Sequence, residues 1–138
     1  MNDPALPAAA DSPSPIDIHG VDTAAAALRT FFRIAEAWQL TNEQQQRLLR
    51  VGRSTFFHWK AGRVRSGLTA DTLERLSYLF GIYAALQVLL PIPERADAWI
   101  RKPNTAPLFG GGSALDRMLG GQVADLFVVR QYLDGQRG

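Results

Sequence analysis

The sequence predicts an all-α fold, a helical bundle. Apolar residues recur at spacings of three and four, as in Leu28, Phe31, Phe32, Ala35 and Trp38, which marks the core-facing stripe of a helix. Helix-start residues precede such stripes at Asp22, Thr41, Thr69 and Ser113. No alternating stretch is long enough to be a useful strand.

Residues 1–20 are rich in Pro, Ala, Ser and Asp and poor in large apolar groups. Such a segment cannot bury enough surface to offset its ordering entropy, so a flexible arm is expected. Asp22 is expected to cap a first helix running to about Trp38. Thr41-Asn42-Glu43-Gln44 fits the capping-box pattern, a Thr followed three residues later by Gln. It opens a second helix to Leu49 or Arg50, with Leu48 and Leu49 as core contacts. A tight turn near Gly52 and a short helix closed by Gly62 complete a helix-turn-helix. Val51, Phe56 and Trp59 are expected to point inward, and Arg53, Ser54, Phe57 and His58 outward.

Thr69 caps the next helix, to about Phe80. Gly81 is read as a break or a close-packing point, and Tyr83 to Leu90 continues as an apolar helix ended by Pro91 and Pro93. Glu94 to Lys102 reads as a short helix carrying Trp99 and Ile100. Ser113 caps a helix through Met118 and Leu119, Gly120-Gly121 breaks it, and a last helix runs from about Val123 to Leu133. The stretch from Trp99 to Gly121 is unusual. Glycine and proline cost a helix about 1 and 3 kcal/mol per residue, yet this stretch interleaves them with Trp99, Ile100, Leu108, Phe109, Leu115, Met118 and Leu119. That composition describes a shaped corner, which either completes a core or presents a surface to another protein.

At 138 residues the chain holds one domain or two small ones packed together, with enough length for a core of its own. It has no cysteine, which excludes disulfides and thiolate zinc sites. The longest apolar run, near Tyr83 to Pro93, falls far short of the roughly 20 residues of a membrane span. No secretory signal is visible, and a cytoplasmic location is expected. The net charge of +2 conceals an asymmetry: Gln44 to Ala70 holds six bases (Arg47, Arg50, Arg53, Lys60, Arg63 and Arg65) and no acid. The remaining nine bases face thirteen acids, a net of −4. A basic block in an otherwise acidic chain points to a polyanionic partner.

The run from Leu48-Leu49-Arg50-Val51-Gly52-Arg53-Ser54-Thr55 through Trp59 to Gly62 resembles the recognition half of a Cro/C1-type, Xre-like helix-turn-helix. Gly52 stands where a Ser cap is usual, a loss of only a few tenths of a kcal/mol. Further on, Trp99, Pro103-Asn104, Leu108-Phe109-Gly110-Gly111, Leu115, Met118-Leu119, Gly121 and Tyr132-Leu133-Asp134 resemble the toxin-binding domain of Xre/MbcA/ParS-type antitoxins. Gly112 and Ala106-Pro107 depart from that pattern.

The resemblance implies a helix-turn-helix domain over residues 21–82 and a small helical toxin-binding domain over 83–138. It implies an antitoxin for a cognate RES-domain toxin that uses NAD, either degrading it or transferring ADP-ribose. The C-terminal region would occlude the toxin's NAD cleft, and the N-terminal half would bind operator DNA as an autorepressor. A homodimer within a larger toxin–antitoxin complex is expected, joined through Tyr83 to Leu90 or the C-terminal bundle. No enzymatic role, cofactor, metal or membrane is expected. The alternative is a plain repressor whose C-terminal half only dimerises.

The DNA-contact candidates are Arg50, Arg53, Ser54, Thr55, Phe57, His58, Lys60, Arg63 and Arg65. Arg53 suits a guanine edge or a phosphate. Lys60, Arg63 and Arg65 suit phosphates. Phe57 packs either on a thymine methyl or on a neighbouring helix. His58 has no Asp, Glu or Cys at metal spacing, so it is assigned to DNA. The toxin-contact candidates are Arg101, Lys102, Asn104, Leu108, Phe109, Met118, Arg130, Tyr132, Asp134 and Arg137. Trp59 and Trp99 are expected to anchor the core. Gly110-Gly111-Gly112 lacks the Gly-Lys-Ser/Thr ending of a phosphate loop and a preceding strand, so it reads as a structural corner.

Overall fold

The structure is a computed structural model that describes Asp17 and residues 19–138; the arm expected at residues 1–20 lies almost wholly outside them. The described residues form seven α-helices: α1 (Val21–Ala37), α2 (Asn42–Leu49), α3 (Arg53–Lys60), α4 (Ala70–Leu89), α5 (Pro93–Ala98), α6 (Ala114–Met118) and α7 (Val123–Gln136). Short 3-10 turns at Trp99–Arg101 and Pro107–Phe109 lie between α5 and α6. No strand occurs among the described residues, only an isolated bridge between Pro103 and Ser113. Among them, too, no helix is long and apolar enough to cross a membrane.

Local chemistry sets most of the boundaries. The Thr41 capping box is present: the Gln44 N–H donates to Thr41 Oγ1 at 3.1 Å, and the Thr41 N–H donates to Gln44 Oε1 at 2.9 Å. Thr69 Oγ1 accepts the Thr72 N–H at 3.2 Å and opens α4. Ser113 and Asp116 form a second reciprocal box at α6. At α1 the cap is Gly20 rather than Asp22. Asp22 lies one residue inside, where its carboxylate faces the positive end of the helix dipole. The left-handed residue in the helix-turn-helix is Arg50, at φ 54°, while Gly52 caps α3 from ordinary extended backbone.

The central element is α4. It runs unbroken for 20 residues, a rod about 30 Å long. The break considered at Gly81 does not occur; the close-packing reading is the right one. A Cβ there would lie 1.7 Å from Arg130 Nη1, so a side chain of α7 occupies that space. The expected domain boundary between residues 82 and 83 therefore falls inside one helix.

α1 and α2 pack on α4, and α7 forms its most extensive contact. The pairing shows that α7 runs parallel to α4. Gly121 meets Arg75, Phe127 meets Tyr78, and Arg130 covers Gly81. Parallel neighbours need a crossover, and the α5–corner–α6 segment is that return path. The Asn104 N–H donates to the Gly112 carbonyl at 2.9 Å to close the corner. Gly110 and Gly111, at φ +56° and +88°, turn it through left-handed backbone that other residues rarely adopt.

One hydrophobic cluster joins both halves, from Ala24 through Leu48, Phe56, Leu79 and Leu86 to Ile100, Met118 and Leu133. Its largest side chain is Trp38, at 0% exposure, with its ring 6.1 Å from that of Tyr83. Trp59 and Trp99, expected as core anchors, are only half-buried. Each lines the edge of the cluster rather than its centre. α7 extends to Gln136, past the expected end at Leu133.

Candidate functional site

The basic face is built on α3. Its Phe56 is fully buried and pins the helix to the bundle. Arg53, Ser54, Thr55 and His58 are consequently exposed together, in the arrangement that places donors before base edges in a major groove. Arg53 stacks over the Phe57 ring at 5.0 Å, which restrains a long side chain before it meets any ligand. Phe57 is half-buried, held edge-on to Phe56 at 5.1 Å, so the structure gives it intramolecular neighbours on one side. Lys60 Nζ donates to Asn42 Oδ1 and thereby ties α3 to the start of α2. Arg63 and Arg65 are exposed on the loop that follows.

Arg50 departs from the group. Its Nη1 donates to the Gly121 carbonyl at 3.3 Å, with Gln122 Oε1 at 3.5 Å. It therefore reaches the C-terminal half while its side chain stays exposed. The same carbonyl accepts a second guanidinium. Arg75, 2% exposed, donates from Nη2 to Gly121 O at 3.0 Å, from Nη1 to Leu48 O at 3.4 Å, and from Nε to Asp71 at 2.9 Å. Two arginines thus fasten the α6–α7 link to the end of α2, beside the turn that launches α3. The sequence signal for Arg75 was present. It stands on the buried stripe of Thr72, Leu76 and Leu79, four residues after Asp71.

The second face is aromatic. Tyr132 stacks on Trp99 at 6.4 Å and 18°, and Phe109 meets both edge-on, at 6.1 and 5.3 Å. This triad fixes the C-terminal turns of α7 to the corner. Around it Lys102, Asp134 and Arg137 are exposed, and Leu108 and Tyr132 are half-buried. Arg130 pairs with Asp134 at 3.0 Å. Arg101 is exposed but donates to the Trp38 carbonyl.

Two assignments change. Met118 is 1% exposed and Phe109 7% exposed; both belong to the core, Met118 three residues after Leu115 on the inner face of α6 and Phe109 between Trp99 and Tyr132. Asn104 shapes the corner, with Oδ1 accepting the Ala106 N–H at 2.8 Å. Arg117 also acts structurally, bridging the Leu108 carbonyl at 3.3 Å and Asp125 at 3.0 Å. At the start of α6 the Ser113 N–H donates to Asp116 Oδ2 at 3.0 Å, from the helix's own first turn.

A further aromatic contact lies on the outer side of α4. Phe127, 43% exposed, sits edge-on to Tyr78 at 5.7 Å. The Tyr78 hydroxyl donates to Glu74 at 3.1 Å, and that hydrogen bond holds its pKa above the ordinary phenol value. Val88 and Ile92, 62% and 46% exposed, lie at and just beyond the end of the rod.

Residues 17–81 match the family described as the antitoxin Xre-like helix-turn-helix domain. Residues 85–138 match the antitoxin Xre/MbcA/ParS C-terminal toxin-binding domain. The uncharacterized protein y4oB of Sinorhizobium fredii is 54% identical over 114 residues, which span 82% of this chain and 85% of that protein.

Proposed function

Because the chain belongs to the Xre/MbcA/ParS antitoxin family, with the helix-turn-helix and the toxin-binding domain in one polypeptide, we propose that it neutralises a RES-domain toxin sterically and represses its own operon. The occluding element is the end of α7, where Asp134 and Arg137 stand exposed beyond the aromatic triad. Arg137 supplies a cation and Tyr132 a hydroxyl, groups suited to a cleft that ordinarily receives the phosphates of NAD. The mechanism asks no chemistry of this chain.

The observation that carries the reading is the rigid fastening of α7. Trp99, Phe109 and Tyr132 fix the helix while leaving its last turn exposed, so little ordering entropy is lost on insertion into a partner. At the other end, α3 presents Arg53, Ser54, Thr55 and His58 to operator DNA, with Lys60, Arg63 and Arg65 on the flanking phosphates. The exposed Val88, Ile92 and Phe127 support a homodimer that places two copies of α3 on half-sites roughly 34 Å apart.

The test is co-expression with the neighbouring reading frame, tagging only this chain. A stable complex with one small partner is expected. Truncation after Gly121 is unsuitable, because it removes Leu126, Val129 and Leu133 from the core. Arg137→Glu and Asp134→Lys keep the core and alter the exposed turn. Loss of the complex in these variants supports the reading; an undiminished complex removes the end of α7 from the interface. Recovery of this chain alone, bound to its upstream DNA, would leave a plain repressor.

A further inference from the structure

Arg75 is 2% exposed, so it meets neither DNA nor a protein partner directly. A buried guanidinium is costly unless its donors find acceptors. Here the planar fork reaches three: Asp71 on its own helix, the Leu48 carbonyl in the last turn of α2, and the Gly121 carbonyl in the α6–α7 link. A lysine, with a single nitrogen, could not span them. Between Leu48 and the exposed residues at the start of α3 lies only the turn through Arg50, Val51 and Gly52.

That turn has little of its own to hold it. Arg50 stands at φ 54°, a left-handed conformation that a non-glycine residue keeps only where its surroundings enforce it. The Arg50 and Val51 N–H groups share one acceptor, the Gln46 carbonyl, the second of them at 3.3 Å. α3 starts from Gly52 with no side-chain cap, unlike the helices opened by Thr41, Thr69 and Ser113. It is 8 residues long, and Phe56 is its one fully buried side chain. The position of its first turn, which carries Arg53, Ser54 and Thr55, therefore depends on where α2 ends. Arg75 fixes that end from within the bundle and Arg50 from its surface, both against the Gly121 carbonyl. We propose that Arg75 is a positioning residue for operator recognition. Through the Leu48 and Gly121 carbonyls it sets the first turn of α3 against the base edges, so sequence reading by the helix-turn-helix requires the α6–α7 link of the C-terminal half. The assignment rests on the operator-binding reading above.

Base-edge hydrogen bonds carry the sequence information and phosphate contacts do not, so a displaced α3 should lose discrimination before it loses general affinity. The assay titrates the full chain against its own upstream DNA and against a scrambled duplex of the same length, at a temperature where circular dichroism shows every variant folded. Arg75→Met keeps the stem and removes every donor. Its affinity for the upstream DNA should fall about tenfold or more, the worth of one base contact. Binding to scrambled DNA should change by less than about twofold, with an unchanged salt slope, because no phosphate contact is lost. Arg75→Lys, which keeps the charge but not the fork, should fall between. Asp71→Asn leaves both carbonyl bonds and should discriminate like the parent. Amide exchange gives a readout without DNA: in Arg75→Met the Arg50 and Val51 amides should speed up more than the Leu90 amide, which bonds to Leu86 at the far end of α4. Equal losses on both duplexes would reduce Arg75 to a support of the fold. A folded Arg75→Met that discriminates like the parent, or a turn that exchanges no faster than Leu90, would overturn the assignment as well. A parent that binds both duplexes alike would defeat the operator reading itself, and this assignment with it; the parent thus tells the two failures apart.

Discussion

Arg75→Ala should destabilise the whole chain, and its magnitude follows from the three partners of the guanidinium. Asp71 is 55% exposed, so that ion pair is screened and contributes at most about 1 kcal/mol. The two carbonyls matter more. Leu48 O is a buried contact and Gly121 O a part-buried one, and a hydrogen bond from a charged donor is worth about 1.5–3 kcal/mol. Gly121 O keeps Arg50 as a second donor, which halves the damage there. Against these gains stands the cost of burying the cation, which removal relieves. The expected net loss is about 3–4 kcal/mol, a large part of the roughly 5–15 kcal/mol that holds a domain together. Arg75→Met, which keeps the packing of the stem, should lose about half as much. The assay is urea unfolding at equilibrium: the midpoint falls at constant m, in one transition for both halves. A value within about 0.5 kcal/mol of the parent, the range of an ordinary surface substitution, would show that the clasp does not support the fold.

Gly81→Ala is expected to leave stability within about 1 kcal/mol, because the gain in helix propensity opposes displacement of the Arg130 guanidinium, 1.7 Å from the new Cβ; thermal melts and partner binding, measured together, should show altered binding with little change in melting. Arg53→Ala should weaken operator binding by about 1–3 kcal/mol and relax preference at one base, whereas Arg63→Ala should weaken all sequences alike and lower the salt slope by about 1; binding titrations at several salt concentrations separate the two. Met118→Ala should cost about 2–5 kcal/mol of stability, and any loss of partner binding should vanish at a temperature where the variant is folded. Arg137→Glu should do the reverse, with an unchanged melt and a weakened complex.

The structure was legible from sequence wherever a short-range rule acts alone. The boxes at Thr41 and Ser113 and the cap at Thr69 are such cases, because each is set within one turn of chain. The recognition helix was legible for the same reason: Phe56 is the one position on α3 that is fully buried, and its neighbours must then face out. Where distant segments decide, local reading failed. Gly81 resembles a stop signal until Arg130 is seen lying across it. The place of Arg75 on the buried stripe of α4 is visible locally, but its carbonyl partners lie 27 and 46 residues away. Arg50 stands in a basic run yet is drawn to Gly121 from the far side of the turn. Trp38, on the core-facing stripe of α1, is fully enclosed, whereas Trp59 and Trp99, also expected in the core, are half-buried because their short helical segments lie at its edge.

The continuity of α4 has a geometric consequence. A flexible tether between a DNA reader and a protein-binding module would let the two search for orientations independently. Here both are mounted on one shaft, so the angle between them is a property of the helix itself. Each residue of an α-helix advances the chain by about 1.5 Å and turns it by about 100°. Inserting a single residue near Gly81 would therefore turn the end of α4 by more than a quarter turn against its start, and α7, which packs on residues before and at Gly81, could no longer match both stretches. The helix-turn-helix and the C-terminal domain are thus held in a register kept by helical pitch.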